Sequence, residues 1–129
     1  MRRRAAAWVP AAVWAAVLFF ASSRSTIPVD LATGLDKPAH FAAYLVLGLL
    51  LTHATVRSAL SPVIALLLGA AYGLTDEIHQ STVPGRAAEF GDWAADTAGT
   101  AAGVLLYLYL CHRRQSSRDD DAHAALEST

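Results

Sequence analysis

Four apolar stretches, each long enough or nearly long enough to cross a bilayer, restrict what this chain can become. The first runs from Ala5 to Ala21 without a charge; the second runs from Pro38 to Ala54, with His40, Tyr44, Thr52 and His53 as its polar members. The third begins near Leu60 and is apolar or small from Pro62 to Tyr72; the fourth runs from Trp93 to Cys111, with Asp96 as its only charge. A spanning helix needs roughly 20 residues, because the hydrocarbon core is about 30 Å thick and a helix rises about 1.5 Å per residue. The third stretch reaches that length only by continuing through Thr75-Asp76-Glu77-Ile78-His79-Gln80, which sets those polar groups at the membrane edge. The expected fold is therefore all-α, a polytopic bundle of four transmembrane helices at residues 5–22, 38–54, 60–80 and 93–111. These form one membrane domain over residues 1–111. The polar remainder, residues 112–129, is expected to be a disordered cytoplasmic tail.

Composition agrees with that expectation. Hydrophobic residues make up 54% of the 129 and charged residues 16%, whereas soluble domains carry about a quarter charged. The single cysteine, Cys111, excludes an internal disulfide and any multi-cysteine metal site. The net charge of −1 gives no indication of a nucleic-acid partner, and none is expected. Met1-Arg2-Arg3-Arg4 and Ala21-Ser22-Ser23 resemble the ends of a secretory signal, but three further apolar runs favour an uncleaved anchor.

The distribution of charge sets the expected orientation. With an even number of spans, Arg2, Arg3, Arg4, Arg57, Arg113, Arg114 and Arg118 share one side, while Arg24, Lys37 and Arg86 lie on the other. The positive-inside rule then places both termini in the cytoplasm. The acidic residues lean the opposite way, with Asp30, Asp36, Asp76, Glu77, Glu89, Asp92 and Asp96 on the outer side. Two outer loops follow, over residues 22–37 and 81–92. The inner connection, over residues 55–61, is short, so the second and third helices are antiparallel neighbours.

Helical geometry gathers the polar groups. At about 100° per residue, Gly69, Tyr72, Gly73, Asp76, His79 and Gln80 share one face of the third helix, with Asp92, Asp96, Gly99 and Gly103 forming a stripe on the fourth. On the second, His40 and Tyr44 line up. The spacings Gly69-x-x-x-Gly73 and Gly99-x-x-x-Gly103 let helix backbones approach closely. The expected outcome is one outward-facing polar pocket drawing on Asp36, Lys37, His40, Tyr44, Asp76, Glu77, His79, Gln80, Arg86, Asp92 and Asp96. Ionisable groups at that depth are expensive and usually functional. Each also has a bland reading: His40 as a donor to a neighbouring carbonyl, Asp92 as a helix cap, Lys37 and Arg86 as interfacial anchors.

The segments Asp36-Lys37-Pro38-Ala39-His40-Phe41-Ala42-Ala43-Tyr44, Asp76-Glu77-Ile78-His79-Gln80, Pro84-Gly85-Arg86 and Asp92-x-x-x-Asp96-x-x-Gly99 occur in that order. Together they resemble the VanZ-like family of small bacterial membrane proteins, over roughly residues 35–103. The resemblance implies a plasma-membrane protein of the bacterial cell envelope, related to low-level resistance to teicoplanin, a lipid-tailed glycopeptide antibiotic. One departure is Asp96-Thr97, where family members often carry an asparagine.

Three classes of function are compatible with these residues. The first is a pocket that binds a lipid headgroup or a lipid-linked cell-wall precursor, with Lys37 and Arg86 meeting phosphate. A divalent cation would bridge the carboxylates to that phosphate. The second is a metal-assisted hydrolase or transferase acting on a lipid-linked phosphate, with His40, Asp76, His79 and Asp96 as candidate ligands and Glu77 as general base. The third is a structural bundle whose polar groups satisfy one another. Membrane lipids are the partners expected in the first two.

Overall fold

The computed structural model describes the backbone of residues 2–23, 29–84, 86 and 88–127, and the side chains of residues 4–23, 37–84, 86 and 88–118. Its elements are a single turn α1 (Arg2–Ala6) followed by α2 (Val9–Ser22), α3 (Val29–Arg57), α4 (Pro62–Gln80) and α5 (Phe90–Glu127). No strand occurs among the described residues. The four long helices form the bundle, and α3 packs most extensively on α5.

The interior inverts the pattern of a water-soluble domain. Among the described residues seven hydrophobic ones are buried, including Ala11, Tyr44, Leu47 and Val104; nine polar or charged ones are buried too, including Thr52, Thr55, Asp76, Glu77, Asp96 and Thr100. Large apolar side chains instead face outward in stripes at helical spacing, such as Val9, Val13, Val17 and Phe20 on α2 and Val63, Leu67, Leu74 and Ile78 on α4. Such patches are too extensive for a soluble monomer and suit lipid. Three segments, Arg4–Ser22, Lys37–Arg57 and Phe90–Arg118, are long and apolar enough to cross a membrane. α4 falls below that measure because its inward face carries Asp76, Glu77 and Gln80.

Glycines set how closely the helices approach. A Cβ on Gly99 would fall inside contact distance of the Phe41 carbonyl oxygen and 3.1 Å from Leu45 N; one on Gly103 would meet the Leu45 carbonyl and lie 2.8 Å from Leu49 N. Gly48 returns the contact from α3, 2.9 Å from Thr100 Cα. These pairs ascend together, so α3 and α5 run parallel. Gly69 meets the Thr100 side chain and Gly73 comes 3.1 Å from Asp96 Cβ, so α4 runs antiparallel to α5. Alanine at Gly99 or Gly103, which helical spacing alone makes a mild change, is therefore a severe one.

Aromatic donors tie the helices crosswise. Trp14 Nε1 donates to the Ala43 carbonyl at 2.9 Å, Tyr72 OH to Ala15 at 2.6 Å, and Trp93 Nε1 to Ala70 at 3.1 Å. Trp8 Nε1 donates to Ser58 Oγ at 3.0 Å. Trp8 and Trp93 are thus struts between helices. The α3–α4 corner is short, as expected. Leu60 N reaches back to Thr55 O at 2.8 Å, with Ala59 at a φ of 59° in the left-handed position that ends a helix. Ser61 Oγ then caps α4 through Val63 N, ahead of Pro62.

Two boundaries differ from expectation. α3 begins at Val29, with Pro38 inside it, so part of the expected outer loop over residues 22–37 is helical. α5 continues to Glu127 where a disordered tail was expected. A helix does not stop at a bilayer surface; it stops where the sequence carries a breaker, and no Gly or Pro follows Gly103. Gly85 lies outside the described residues, as does the side chain of Asp36.

Candidate functional site

The two helix registers decide which polar groups meet. The parallel register of α3 on α5, set by Gly99 against Phe41, places His40 beside Asp96, and His40 Nδ1 lies 2.9 Å from Asp96 Oδ1. Asp96 is 0% exposed, and the His40 side chain 11%. The antiparallel register of α4 on α5, with Gly69 at Thr100 and Gly73 at Asp96, carries Glu77 to the start of α5 one turn further on. There Glu77 Oε2 accepts the Glu89 backbone N–H at 2.7 Å.

Asp76 occupies the neighbouring face of α4. It is buried, and its Oδ2 accepts from Gln80 Nε2 at 3.1 Å. It borders a cavity of about 180 Å³ with His40, Tyr44, Gln80 and Arg86, whose apolar walls are Leu18, Ala21, Ala39 and Ala43. Arg86 Nη1 also donates to the Ser22 carbonyl at 3.4 Å. At the rim, Lys37 Nζ lies 3.2 Å from Glu89 Oε2 and 3.4 Å from Asp92 Oδ1. Asp92 is buried in the first turn of α5, where a carboxylate complements the helix dipole.

Among the described residues, four carboxylates are therefore buried at one end of the bundle: Asp76, Glu77, Asp92 and Asp96. Asp76 Oδ1, Glu77 Oε1, Asp96 Oδ2 and the Tyr44 hydroxyl are buried and make no hydrogen bond among the described residues, while Asp92 Oδ1 has the 3.4 Å ion pair with Lys37. Buried polar atoms are almost always paired, so four unsatisfied atoms at one end of the bundle mark a candidate site.

His79 is the departure from the expected pocket. It lies on the α2 side of α4, with Nε2 2.8 Å from Ser23 Oγ and its ring stacked on Phe19 at 4.5 Å between centroids. Among the described residues, His40, Glu77 and Asp96 are the three whose potential ligand atoms all fall within 4.8 Å of one another. The metal-ligand candidates His40 and Asp96 are thus brought together, His79 is carried away, Asp76 stands at the cavity wall, and Glu77 joins them. The sequence held a signal for Glu77: the spacing of Gly69, Gly73 and Glu77 repeats every four residues and so follows the glycine stripe toward α5.

The remaining expected residues sit around this centre: Lys37 at the rim, Tyr44 beneath it, and Gln80 against Asp76. One family model, described as VanZ/LLP1, matches residues 3–112. No curated protein and no solved structure gives a match.

Proposed function

We propose, from the premise that the chain belongs to the VanZ/LLP1 family, that this membrane protein binds the phosphate-bearing headgroup of an envelope lipid in its polar cavity. The observation that carries the reading is the two-natured wall of that cavity, with His40, Tyr44, Asp76, Gln80 and Arg86 facing Leu18, Ala21, Ala39 and Ala43. At about 180 Å³ it suits a headgroup, not a whole lipid. A second cavity of about 240 Å³, lined by Trp8, Ala11, Ala12, Ala15, Leu47, Leu51, Leu68 and Tyr72, lies further along α2, α3 and α4. An almost wholly apolar space on the same helices as one with mixed polar and apolar walls favours an amphiphile over a soluble anion. Arg86 supplies the planar fork that phosphate recognition uses.

This reading makes the ligand a membrane phospholipid or a lipid-linked wall precursor, which is how such a protein would bear on teicoplanin susceptibility. Native mass spectrometry of the protein released from its own membranes tests it. One phospholipid-class adduct per chain is expected, depleted about tenfold in Arg86→Ala, which corresponds to about 1.4 kcal/mol. A bare wild-type chain, or equal adducts on both proteins, refutes the binding site.

The same reading places α4 across the bilayer, making four spans with both termini in the bacterial cytoplasm. The outward stripe Val63, Leu67, Leu74 and Ile78 supports this, as does the excess of basic residues on the side holding Arg57 and Arg113. In intact cells, Thr82→Cys is expected to react with a membrane-impermeant maleimide, while native Cys111 reacts only after permeabilisation. The reverse pattern inverts the topology.

A further inference from the structure

We propose that His40, Glu77 and Asp96 hold one divalent first-row transition-metal ion, with zinc as the representative probe. The inference stands on the geometry of these three residues and does not depend on the lipid reading.

The donors come from three different helices, α3, α4 and α5, whose registers are fixed independently by glycine contacts. Convergence of an imidazole and two carboxylates is thus a property of the packed bundle, not of one helix face. Ligands bound at about 2.0–2.2 Å from one ion stand roughly 3–4 Å apart. The His40 Nδ1 to Asp96 Oδ1 separation of 2.9 Å is close to that range, and the widest separation of 4.8 Å closes by small side-chain rotations.

Two further observations point to a cation. Glu77 Oε1 and Asp96 Oδ2 are buried without a hydrogen bond among the described residues, on residues that are 4% and 0% exposed. The Tyr44 hydroxyl, which is not one of the three candidate ligands, belongs to a residue 1% exposed and is equally unsatisfied. It lies within electrostatic reach of Asp96, Asp76 and Glu77. A buried phenol oxygen among carboxylates gains from a positive charge placed between them, as do the carboxylates themselves.

The donor set selects the class of ion. Magnesium and calcium prefer all-oxygen sites, whereas a mixed imidazole–carboxylate set suits zinc and its neighbours. Three protein donors also leave coordination positions for an outside ligand. His40 additionally borders the cavity with Asp76 and Arg86, so an ion here would neutralise the acidic surroundings of a phosphate group entering it.

The full chain in detergent, stripped with a chelator and reloaded with zinc chloride, is expected to retain one zinc per chain after desalting. Glu77→Gln and Asp96→Asn preserve shape and are expected to weaken zinc by at least about tenfold, the loss caused even by outer partners of a ligand. His79→Ala, on the α2 side, is expected to bind zinc like the wild type. Zinc X-ray absorption of the wild type gives a readout that needs no variant to fold: one imidazole among oxygen donors is expected. A chain that retains no zinc overturns the proposal. So does a sulfur neighbour from Cys111, a shell of two or more imidazoles, a loss in His79→Ala equal to that in Asp96→Asn, or equal competition by magnesium or calcium.

Discussion

Gly99→Ala is expected to destabilise the protein, although alanine is the better helix former by about 1 kcal/mol. The added methyl has nowhere to go. Its nearest neighbours are the Phe41 carbonyl and the Leu45 amide, both backbone atoms of α3 that cannot rotate aside. Overpacking into side chains costs about 1–3 kcal/mol, and a backbone obstacle belongs at or above the upper end. Because α3 and α5 share the largest interface of the bundle, their separation would also displace His40 from Asp96. The matched control is Gly91→Ala on the same helix, where the new methyl meets Lys37 Cε at 2.8 Å, the far end of a flexible side chain. Thermal unfolding in a fixed detergent should show a fall of several degrees for Gly99→Ala and a larger one for Gly99→Leu, with Gly91→Ala near the wild type. Equal melting of Gly99→Leu and the wild type would mean that α3 and α5 do not pack through this stripe.

Removing His40 or Asp96 is expected to cost nearly as much singly as together. The two are in contact at 2.9 Å, and Asp96 is fully buried. Breaking a buried hydrogen bond by deleting one member typically costs about 1–3 kcal/mol, because the survivor is left unsatisfied. Once His40→Ala has been made, Asp96→Asn changes a group that has already lost its partner, so the second change adds little or even restores stability. The cycle of His79→Ala with Asp96→Asn should instead be additive within about 0.5 kcal/mol, since His79 contacts Ser23 and Phe19. Chemical denaturation in mixed micelles, with lipid retention scored in parallel, measures both cycles. Additivity of His40→Ala with Asp96→Asn would dissolve the shared site; strong coupling of His79 to Asp96 would restore the pocket expected from helical spacing alone.

The sequence by itself determined that this chain is a helical bundle for a membrane. Its apolar runs are long and almost free of charge, and those physical requirements apply before any contact forms. It also determined which residues are candidates for a site, because carboxylates and histidines inside or beside such runs are costly to place there. The α3–α4 corner was legible in the short connection over residues 55–61, to which the structure adds the Ser61 cap ahead of Pro62. Helix ends elsewhere were less so, since bilayer thickness limits how much helix is submerged and not how far it continues. That is why α3 reaches back through Pro38 to Val29 and α5 runs on to Glu127.

Only the tertiary structure decided which of the polar residues share a site. Periodicity fixes the angle at which a side chain leaves its own helix, and by that measure Asp76, His79 and Gln80 belong together. It does not say which helix stands opposite. α2 packs on the side of α4 that carries His79 and engages it through Ser23 and Phe19, while the glycine stripe turns Glu77 toward α5. The partner of Asp96 was likewise set by close approach, because the absence of a side chain at Gly99 and Gly103 fixes the register of α5 on α3. An angle is a property of one helix; a site is a property of the neighbours that packing selects.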